Sequence, residues 1–526
     1  MARRCNRRVP RGVLQTYLFV SGRTHAVALI AGVMLMSAMP AAAQPQAPLG
    51  HAGRWITDSD GRVVILHGVN MVYKVPPYAP DAAGFDSNDA AFLQNHGFDS
   101  VRLGVLHVAV EPQPGSYDDS YLARIARTVQ TLGEHGIYSL LDFHQDLYNE
   151  RFQGEGEPAW SVQDDGLPAS PQEGFPGNYI AMPALERAFD HFWQNSAGPG
   201  GPGLQDRYAA AWHHVASSFD GNRYVMGDDL FNEPWPGSQW PSCANPEGCP
   251  AFDETFLAPF THNVVAAIHS ADPGVVTYYE PNVFFDFGAN TWIGTPGDAE
   301  SGMSFHDYCI AGNFALPQSG FGATGCDAAE KQVFQNADAH AQSTGDALLL
   351  TEFGATDDLT VIQRLVDDAD QHMVGWDYWA YCGCQDPTGS PQAEPLVNDP
   401  SKPPTGSNVR WDKLATLERP YPQAVAGTPT GFSYDTTSTV FQLSYSTARA
   451  SGGGSFPGGS ETDVYVPTLH YPGGYSVQVT GAAPISRPGA SVLRLASCNG
   501  STTVTVRVAP SGQSSSDCVP PAGRGA

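Results

Sequence analysis

The stretch Ala347-Leu-Leu-Leu-Thr-Glu-Phe-Gly354 combines an apolar run with a glutamate at its end. Four apolar residues in succession, without polar alternation, are typical of a strand that is buried on both faces of a parallel sheet. A carboxylate directly after such a strand lies at the carboxyl edge of the sheet, where open and closed α/β folds bind their ligands. This stretch therefore predicts both the kind of sheet and the edge that carries the chemistry.

Seven similar runs occur between residues 63 and 380, and longer amphipathic stretches separate them. With the first stretch, the predicted strands are 63–66, 100–103, 138–141, 224–231, 275–279, 303–305, 347–350 and 374–376. Eight strands that alternate with helices predict a (β/α)8 TIM barrel with insertions. We assign residues 44–424 to this domain.

One insertion in the predicted barrel is large. Between Asp146 and Gly203 the chain is rich in glycine, proline and aromatic residues, and the segment follows the third predicted strand. A loop of this length at the carboxyl edge of a barrel is usually functional. A decorative surface loop is the alternative.

Residues after 424 have a different pattern. Five or more short alternating segments, such as 440–445 and 502–508, are separated by turns rich in glycine, proline and serine. This spacing predicts a small β-sandwich over residues 425–520. Residues 521–526 are predicted to be a disordered tail.

The charge of the chain is strongly acidic and unevenly distributed. There are 27 Lys and Arg against 54 Asp and Glu, a net charge of −27, which argues against nucleic acid as a partner. Residues 1–43 contain six arginines and no acid, then the apolar run 26–36, then Ala41-Ala-Ala43. This order predicts a secretory signal peptide that is removed near Ala43, and hence an extracellular protein. An uncut N-terminal anchor stays open as the alternative.

Cysteine usage fits an exported protein. Eight cysteines follow the predicted signal peptide, and an even number in an exported chain indicates disulfides. Cys243–Cys249 and Cys498–Cys518 are plausible local bridges, and the pairing of the other four stays open. The spacing of the cysteines predicts no metal site.

Two glutamates carry the strongest functional signal. Glu233 lies in Leu230-Phe-Asn-Glu-Pro-Trp235 after the fourth predicted strand, and Glu352 lies after the seventh. Both are placed at the carboxyl edge of the barrel. Two carboxyl groups that converge in this way are suited to glycoside hydrolysis, in which one protonates the leaving oxygen and the other attacks the anomeric carbon. This chemistry needs neither a metal nor a cofactor.

Several motifs resemble a known family. Asn232-Glu233-Pro234, Thr351-Glu352-Phe353-Gly354 and His306-Asp-Tyr308 resemble glycoside hydrolase family 5, of the retaining clan A barrels. The stretches 67–78 (HGVNMVYKVPPY), 142–146 (DFHQD) and 227–237 (GDDLFNEPWPG) resemble, more narrowly, the endoglycoceramidases. The resemblance covers residues 53–515.

The resemblance implies roles for the residues that match its motifs. Glu233 would be the acid/base and Glu352 the nucleophile, so Glu233 needs a raised pKa whereas Glu352 must stay ionised. Asn232 would bind the sugar 2-hydroxyl, and Tyr308 would hold Glu352 in position. Arg102 is expected to pair with Glu352 as a supporting cation, and His306 is a second supporting candidate.

Four further residues are expected to bind sugar. They are Lys74 after the first strand, His144 and Asp146 after the third, and Trp379 after the eighth. Trp379 would stack on a sugar ring. We carry no roles into the insertion at 147–203, because its loops do not align with the family.

The resemblance implies a secreted retaining β-glycosidase that cleaves the bond between glycan and ceramide in glycosphingolipids, with transient contact to a membrane or micelle surface. One alternative is another family 5 specificity: galactosyl- or glucosylceramide, a steryl glucoside or a β-glucan. The other is a non-catalytic glycolipid-binding protein. The sequence predicts neither the preferred glycan nor the oligomeric state.

Overall fold

The computed structural model describes residues 45–308 and 325–519, so the predicted signal peptide at 1–43 and the predicted tail at 521–526 lie outside the described residues. Three short strands come first: β1 (Gly50–Ala52), β2 (Trp55–Thr57) and β3 (Val63–Val64). Each pairs with the next in antiparallel fashion. They belong to a sheet that the C-terminal part of the chain completes.

The next eight strands close into a parallel barrel, which confirms the predicted fold class. They are β4 (His67–Met71), β5 (Ser100–Val105), β6 (Tyr138–Phe143), β7 (Val225–Asp229), β8 (Thr277–Tyr279), β9 (Ser301–Asp307), β10 (Ala347–Phe353) and β11 (Gly375–Tyr378). Their order around the barrel is β10-β11-β4-β5-β6-β7-β8-β9. Every residue in these strands is buried, so continuous apolar runs are the expected pattern.

The first predicted strand, 63–66, is wrong as a barrel strand, and the barrel begins at His67 instead. The run 63–66 alternates between two cores. Val63 and Ile65 pack in the core of the C-terminal sheets, and Val64 and Leu66 pack among residues at the floor of the barrel. The run is therefore apolar throughout because it lies between two hydrophobic cores.

Helices follow most barrel strands, with short helical turns in the loops. The α-helices are α1 (Ser87–Asn95), α2 (His107–Val110), α3 (Asp119–Glu134), α4 (Gly177–Ala181), α5 (Pro183–Trp193), α6 (Leu204–Phe219), α7 (Trp240–Cys243), α8 (Pro250–Phe252), α9 (Ala258–His269), α10 (Cys326–Thr344), α11 (Leu359–His372) and α12 (Trp411–Leu417). A π-helical turn, Asp253–Leu257, joins α8 to α9. In α6 the residues Leu204, Tyr208, Trp212, Val215 and Phe219 are buried, which is the spacing of one helical face.

The insertion after β6 is packed against the barrel. It contains α4, α5 and short 3-10 turns at Glu150–Phe152 and Ala159–Ser161. Phe152, Phe192 and Trp193 are buried in the main core. The aromatic residues of the segment therefore anchor it, and they hold the remainder of the segment over the carboxyl edge of the barrel.

The C-terminal strands form two antiparallel sheets. They are β12 (Tyr421–Val425), β13 (Thr428–Asp435), β14 (Val440–Ser446), β15 (Glu461–Tyr465), β16 (Ser476–Thr480), β17 (Ala482–Pro484), β18 (Val492–Ser497), β19 (Thr503–Ala509) and β20 (Ser515–Ser516). One sheet has the order β1-β2-β3-β12-β15-β18-β17 and the other β13-β14-β19-β16-β20, with β20 parallel to β16. Residues of both sheets share one core, as a sandwich requires. The predicted boundary at 424/425 falls within the first sheet's strand β12.

Both predicted disulfides, Cys243–Cys249 and Cys498–Cys518, are present. A third joins Cys382 to Cys384 in the loop after β11. Within 45–308 and 325–519, no helix combines the length and the apolar character that a membrane crossing needs.

Candidate active site

A cavity of about 460 Å³ lies at the carboxyl edge of the barrel. Six of the predicted site residues line it: Lys74, Asp146, Glu233, Tyr308, Glu352 and Trp379. The other four lie behind this lining: Arg102, His144 and His306 contact lining side chains, and Asn232 contacts Arg102. All ten predicted residues are therefore brought together at one end of the barrel.

Glu352 is held through both of its carboxylate oxygens. It is the sixth residue of β10 and is 4% exposed. Oε1 accepts a hydrogen bond from Arg102 Nη1 at 2.5 Å, and Oε2 accepts one from the Tyr308 hydroxyl at 2.8 Å. These contacts fix the carboxylate at the bottom of the cavity and supply it with a cation.

Arg102 organises the floor of the site. Its guanidinium is fully buried in β5, where it contacts Asp142, Asp229, Glu280 and Glu352 at 2.5–3.0 Å. Burial lowers the pKa of Arg102, but these four carboxylates outweigh it and raise the pKa well above the usual value. Arg102 is thus a permanent positive charge below the cavity.

The backbone of Glu233 adopts a left-handed conformation, with φ of 43°, which a residue with a side chain rarely occupies. Two side chains hold it there. The carboxylate of Glu280 accepts a hydrogen bond from the Glu233 amide at 2.7 Å, and the Gln145 side chain donates to its carbonyl at 3.3 Å. A backbone held in a strained conformation is common where a catalytic group is positioned.

Glu280 was missed by the sequence analysis. It directly follows β8 and connects Arg102, at 3.0 Å, to the Glu233 amide. The signal that singled out Glu352, a carboxylate at the end of a barrel strand, applies equally to Glu280. Its run, 275–279, carries no accompanying motif, and for that reason Glu280 was not selected.

The pKa values of Glu233 and His306 are both raised above those of ordinary side chains. Burial raises the pKa of Glu233, and the neighbouring His306 opposes this effect. Burial lowers the pKa of His306, but the carboxylates of Glu280 and Glu352 outweigh it and hold the pKa well above its usual value. The site therefore favours a protonated Glu233 beside a charged imidazole.

The contacts of His306 with both glutamates set an upper limit on the distance between them. Its Nδ1 lies 3.0 Å from Glu233 Oε1 and 3.7 Å from Glu352 Oε2. Placed end to end, these distances show that the two carboxylate oxygens are at most 6.7 Å apart. The two glutamates therefore face the same small volume.

A polar arc of the cavity is built around Lys74. Its ammonium contacts Asp146 at 2.6 Å and Asp386 at 3.1 Å, and lies 4.5 Å from the centre of the Trp379 ring. The His144 ring stacks on the same tryptophan, Trp379, with the ring centres 5.3 Å apart. Burial lowers the pKa of His144, but Asp142 outweighs it and raises the pKa to about 10. These side chains present charges and hydrogen-bonding groups to a ligand.

Asn232 is largely occupied by the protein. Its Oδ1 accepts a hydrogen bond from Arg102 at 2.9 Å, and its Nδ2 donates to the Gln145 carbonyl at 3.0 Å. One amide hydrogen is left for a ligand. The predicted contact of Asn232 with a sugar hydroxyl would use that hydrogen.

An apolar arc completes the cavity. Its members come from the insertion, from the loop after β7 and from the turn after β8: Phe175, Pro176, Tyr179, Trp235, Val283, Phe284 and Phe287. Trp235 packs against Tyr179 and Phe284, with ring centres at 4.8 and 5.4 Å. The cavity thus joins charged groups and an aromatic surface.

Donor atoms suitable for a metal ion cluster twice around the cavity. Glu233, Asp286 and His306 form one group, and His144, Asp146 and Glu155 form the other, each within 4.8 Å. The second group already contains an ion pair with Lys74. That the chemistry needs no metal or cofactor stays a prediction from the two glutamates.

Replacing Arg102 with lysine will lower the free energy of unfolding by about 3–5 kcal/mol, because one ammonium cannot reach four buried carboxylates and leaves some uncompensated. Urea denaturation at neutral pH measures the change. Arg124 is the control, since its side chain is partly exposed and pairs with Asp81. Arg124→Lys will change stability by less than about 1 kcal/mol. Equal stability of the two variants would contradict the organising role of Arg102.

Comparison with known proteins identifies the family to which this barrel and its sheet domain belong. Residues 57–385 match the family described as Cellulase (glycosyl hydrolase family 5), and residues 419–508 match the glycoside hydrolase family 5 C-terminal domain. The chain is 34% identical over 476 residues to endoglycoceramidase I of Rhodococcus hoagii (strain 103S), covering 89% of each chain. It is 31% identical over 463 residues to an endoglycoceramidase of Cyanea nozakii, covering 81% of this chain and 85% of that protein.

This chain is also similar to a solved endo-glycoceramidase structure. The complex of endo-glycoceramidase II from Rhodococcus sp. with ganglioside GM3 is similar to this chain with a TM-score of 0.70 and 28% identity, covering 87% of this chain and 99% of that one. The first family match contains Lys74, both glutamates and the Arg102 network, and the second covers most of the strands from β12 to β19. The barrel, its two converging glutamates and its sheet domain therefore belong to a member of glycoside hydrolase family 5, and the chain is a glycoside hydrolase.

Proposed function

We propose that this glycoside hydrolase cleaves the bond between the glycan and the ceramide of glycosphingolipids, with retention of configuration. The observation that carries the proposal is the two-sided cavity, in which the paired glutamates lie between a polar arc and an aromatic arc. A substrate that is sugar on one side of the scissile bond and lipid on the other suits such a cavity.

Barrel topology places the central members of the two arcs on opposite sides of the cavity. Lys74 and the ring that it contacts, Trp379, belong to the polar arc and follow the neighbouring strands β4 and β11. The aromatic residues Trp235 and Phe284 follow β7 and β8, which lie half-way round the eight-stranded barrel from that pair. A glycan bound by the polar arc would thus direct its aglycone toward the aromatic arc.

In the first step, Glu352 attacks the anomeric carbon while Glu233 gives its proton to the glycosidic oxygen, and ceramide leaves. Arg102 and Tyr308 hold the two carboxylate oxygens of Glu352 in position. Burial raises the pKa of Glu233 and so favours the protonated form that this step needs. In the second step, Glu233 removes a proton from water, and the water oxygen displaces Glu352 from the sugar.

The spacing of the glutamates supports retention. Carboxyl groups in retaining glycosidases are about 5–5.5 Å apart, whereas inverting enzymes need about 6.5–9.5 Å to admit a water molecule. The distance between Glu233 Oε1 and Glu352 Oε2 is at most 6.7 Å, which excludes nearly all of the inverting range and admits the retaining range. The relatives named endoglycoceramidase, and the ganglioside complex of one of them, support the lipid substrate.

Product analysis tests the substrate. The protein is incubated with a ganglioside, lactosylceramide, galactosylceramide and cellulose oligomers, and the products are identified by mass spectrometry. We expect intact oligosaccharide and free ceramide from the first two. Release from a monohexosylceramide alone would assign a cerebroside-directed specificity, and cleavage of the cellulose oligomers alone would reject the lipid substrate.

We also propose that the protein approaches lipid through apolar contact. Phe175, at the cavity, is 39% exposed, while the net charge of −27 opposes anionic membranes. Binding to phosphatidylcholine vesicles that contain lactosylceramide will change by less than about twofold between about 0.05 and 0.5 M salt. Phe175→Ser will weaken binding, whereas Trp411→Ser, an exposed tryptophan outside the cavity, will leave it unchanged. A steep fall with salt would instead identify an electrostatic contact.

We propose, finally, that the protein is exported after cleavage near Ala43. The basic and apolar segments of residues 1–43 support this, as do the disulfides among the described residues. N-terminal sequencing of the protein from the culture medium tests it. A mature chain that begins near Gln44 is expected, and an intact N-terminus in the membrane fraction would identify an anchor.

A further inference from the structure

A buried glutamine, Gln145, connects the segment that carries Glu233 to the insertion. Gln145 lies in the loop after β6, is 1% exposed and sits behind the cavity lining. Its Nε2 donates to the Asn232 carbonyl at 2.8 Å and to the Glu233 carbonyl at 3.3 Å. One side-chain amide thus holds two successive carbonyl groups of the acid/base segment.

The main chain around Gln145 strengthens this connection. The Gln145 carbonyl accepts a hydrogen bond from Asn232 Nδ2 at 3.0 Å, and the Asn232 amide donates to the Phe143 carbonyl at 3.2 Å. On the other side, the Glu233 amide donates to the carboxylate of Glu280. The left-handed backbone of Glu233 is therefore held from both directions. Because the backbone angles set where a side chain points, these contacts also direct the Glu233 carboxyl.

The first turn of the insertion holds the other end of the Gln145 side chain. Gln145 Oε1 accepts a hydrogen bond from the Tyr148 amide at 3.0 Å. The preceding amide, that of Leu147, donates at 2.9 Å to the hydroxyl of Tyr179, a residue of the aromatic arc. An amide N–H requires the oxygen of Gln145 and the two carbonyls require its nitrogen, so the partners permit one orientation of this side chain.

We propose that Gln145 is a positioning residue for Glu233: it fixes the backbone at Asn232 and Glu233 so that the Glu233 carboxyl meets the glycosidic oxygen, and the insertion keeps Gln145 in that orientation. The role rests on the proposed function of Glu233 as the acid/base. Proton transfer requires donor and acceptor within hydrogen-bonding distance. A small displacement of the carboxyl therefore slows this transfer strongly.

The nucleophile is held by other contacts. Glu352 is fixed by Arg102 and Tyr308 and makes none of its hydrogen bonds with Gln145. Loss of the Gln145 amide will therefore impair proton transfer by Glu233 and spare the attack by Glu352. This difference separates a positioning role from a general contribution to stability.

The dependence of rate on leaving group tests the proposal. Gln145→Met keeps the length of the side chain and removes its amide. On a phenyl β-glycoside, whose leaving group needs a proton, kcat/KM will fall by about 10- to 100-fold. On a dinitrophenyl β-glycoside, whose leaving group needs none, kcat/KM will fall by less than about threefold. An equal loss on both substrates, or no loss on either, would overturn the proposal.

The separate values of kcat and KM on the dinitrophenyl glycoside give a second readout. Glu233 also acts as the base in the second step, so in Gln145→Met the glycosyl-enzyme will be hydrolysed slowly and will accumulate. Both kcat and KM will then fall by about tenfold or more, while their ratio changes little. Values of kcat and KM that both match those of the parent protein would reject the displaced base.

Two further variants secure the comparison. Gln145→Asn keeps the amide but is one methylene too short to reach both carbonyls; it will give the same pattern, and it provides the test if Gln145→Met does not fold. Gln423→Met is the matched control. Gln423 is also buried, and its amide donates to Tyr421 at 3.1 Å and to Asp99 at 3.4 Å, just before β5 at the amino edge of the barrel. Its substitution will leave kcat/KM on both glycosides within about threefold.

Glu233→Gln separates failure of this role from failure of the proposed function. Neither aryl glycoside contains lipid, so the outcome is independent of the ceramide specificity. If Glu233→Gln discriminates between the two glycosides and Gln145→Met does not, the positioning role alone is rejected. If Glu233→Gln itself slows both glycosides equally, the acid/base role of Glu233 is rejected, and the role of Gln145 with it.

Discussion

Replacing Glu352 with glutamine will lower kcat/KM by about 10⁴-fold or more on every β-glycoside that the protein cleaves. The amide has almost the same shape but no negative charge, so it forms no covalent bond to the anomeric carbon. Both the ceramide substrate and activated aryl glycosides depend on that bond. Turnover of a dinitrophenyl β-glycoside, followed by absorbance, measures the loss.

Glu330 provides the control for this substitution. It is fully buried and pairs with Arg364 between α10 and α11, and neither residue belongs to the cavity lining. Glu330→Gln will leave turnover within about threefold of the parent protein, whatever it does to stability. Azide added to Glu352→Gly will restore turnover and give an α-glycosyl azide, since the small anion takes the place of the carboxylate. Normal activity of Glu352→Gln would exclude Glu352 as the nucleophile.

Glu233→Gln will affect substrates according to their leaving groups. Ceramide is a poor leaving group that needs a proton, so its release will slow by about 10²- to 10⁴-fold. Dinitrophenolate leaves without protonation, so formation of the glycosyl-enzyme from this substrate will slow by less than about tenfold. Product analysis for the lipid and a stopped-flow burst for the aryl glycoside measure the two effects.

Azide distinguishes the two glutamates in the same experiment. With Glu233→Gly, azide attacks the glycosyl-enzyme after Glu352 has reacted, and the product is a β-glycosyl azide. With Glu352→Gly the product has the opposite configuration. If both variants gave the same anomer, or if lipid and aryl glycoside slowed equally in Glu233→Gln, the assigned roles would be wrong.

Sequence pattern predicted the barrel because its strands are buried on both faces and their apolar runs are therefore continuous. The same rule misplaced the first strand. The barrel strand β4 is His-Gly-Val-Asn-Met, with only moderate apolar character, because Asn70 turns inward to accept a hydrogen bond from Arg102. The more apolar run before it lies between two cores. Hydrophobicity alone does not separate these two cases.

The predicted site residues were those with a motif or a strand end to mark them, and the structure brings them to one cavity. Glu280 and Asp286 carried no motif. Their places depend on tertiary contacts: Glu280 joins Arg102 to the backbone of Glu233, and Asp286 reaches the site from a turn beyond β8. Sequence does not identify the aromatic arc for the same reason, because a tryptophan such as Trp235 can belong to a core or to a binding surface.

The pairing of β3 with β12 bears on how this chain is made and how its parts are inherited. Val64 pairs with Ala424, 360 positions later, and Val63 contributes to the core that the last strands complete. During synthesis all eight barrel strands are made between β3 and its partner β12, and such distant pairings slow folding. The C-terminal sheets also cannot be moved to another protein as an independent domain. Without residues 50–64 they would have an unpaired edge at β12 and would expose Tyr421 and Val425. Barrel and sheets are therefore expected to be gained or lost as a single unit.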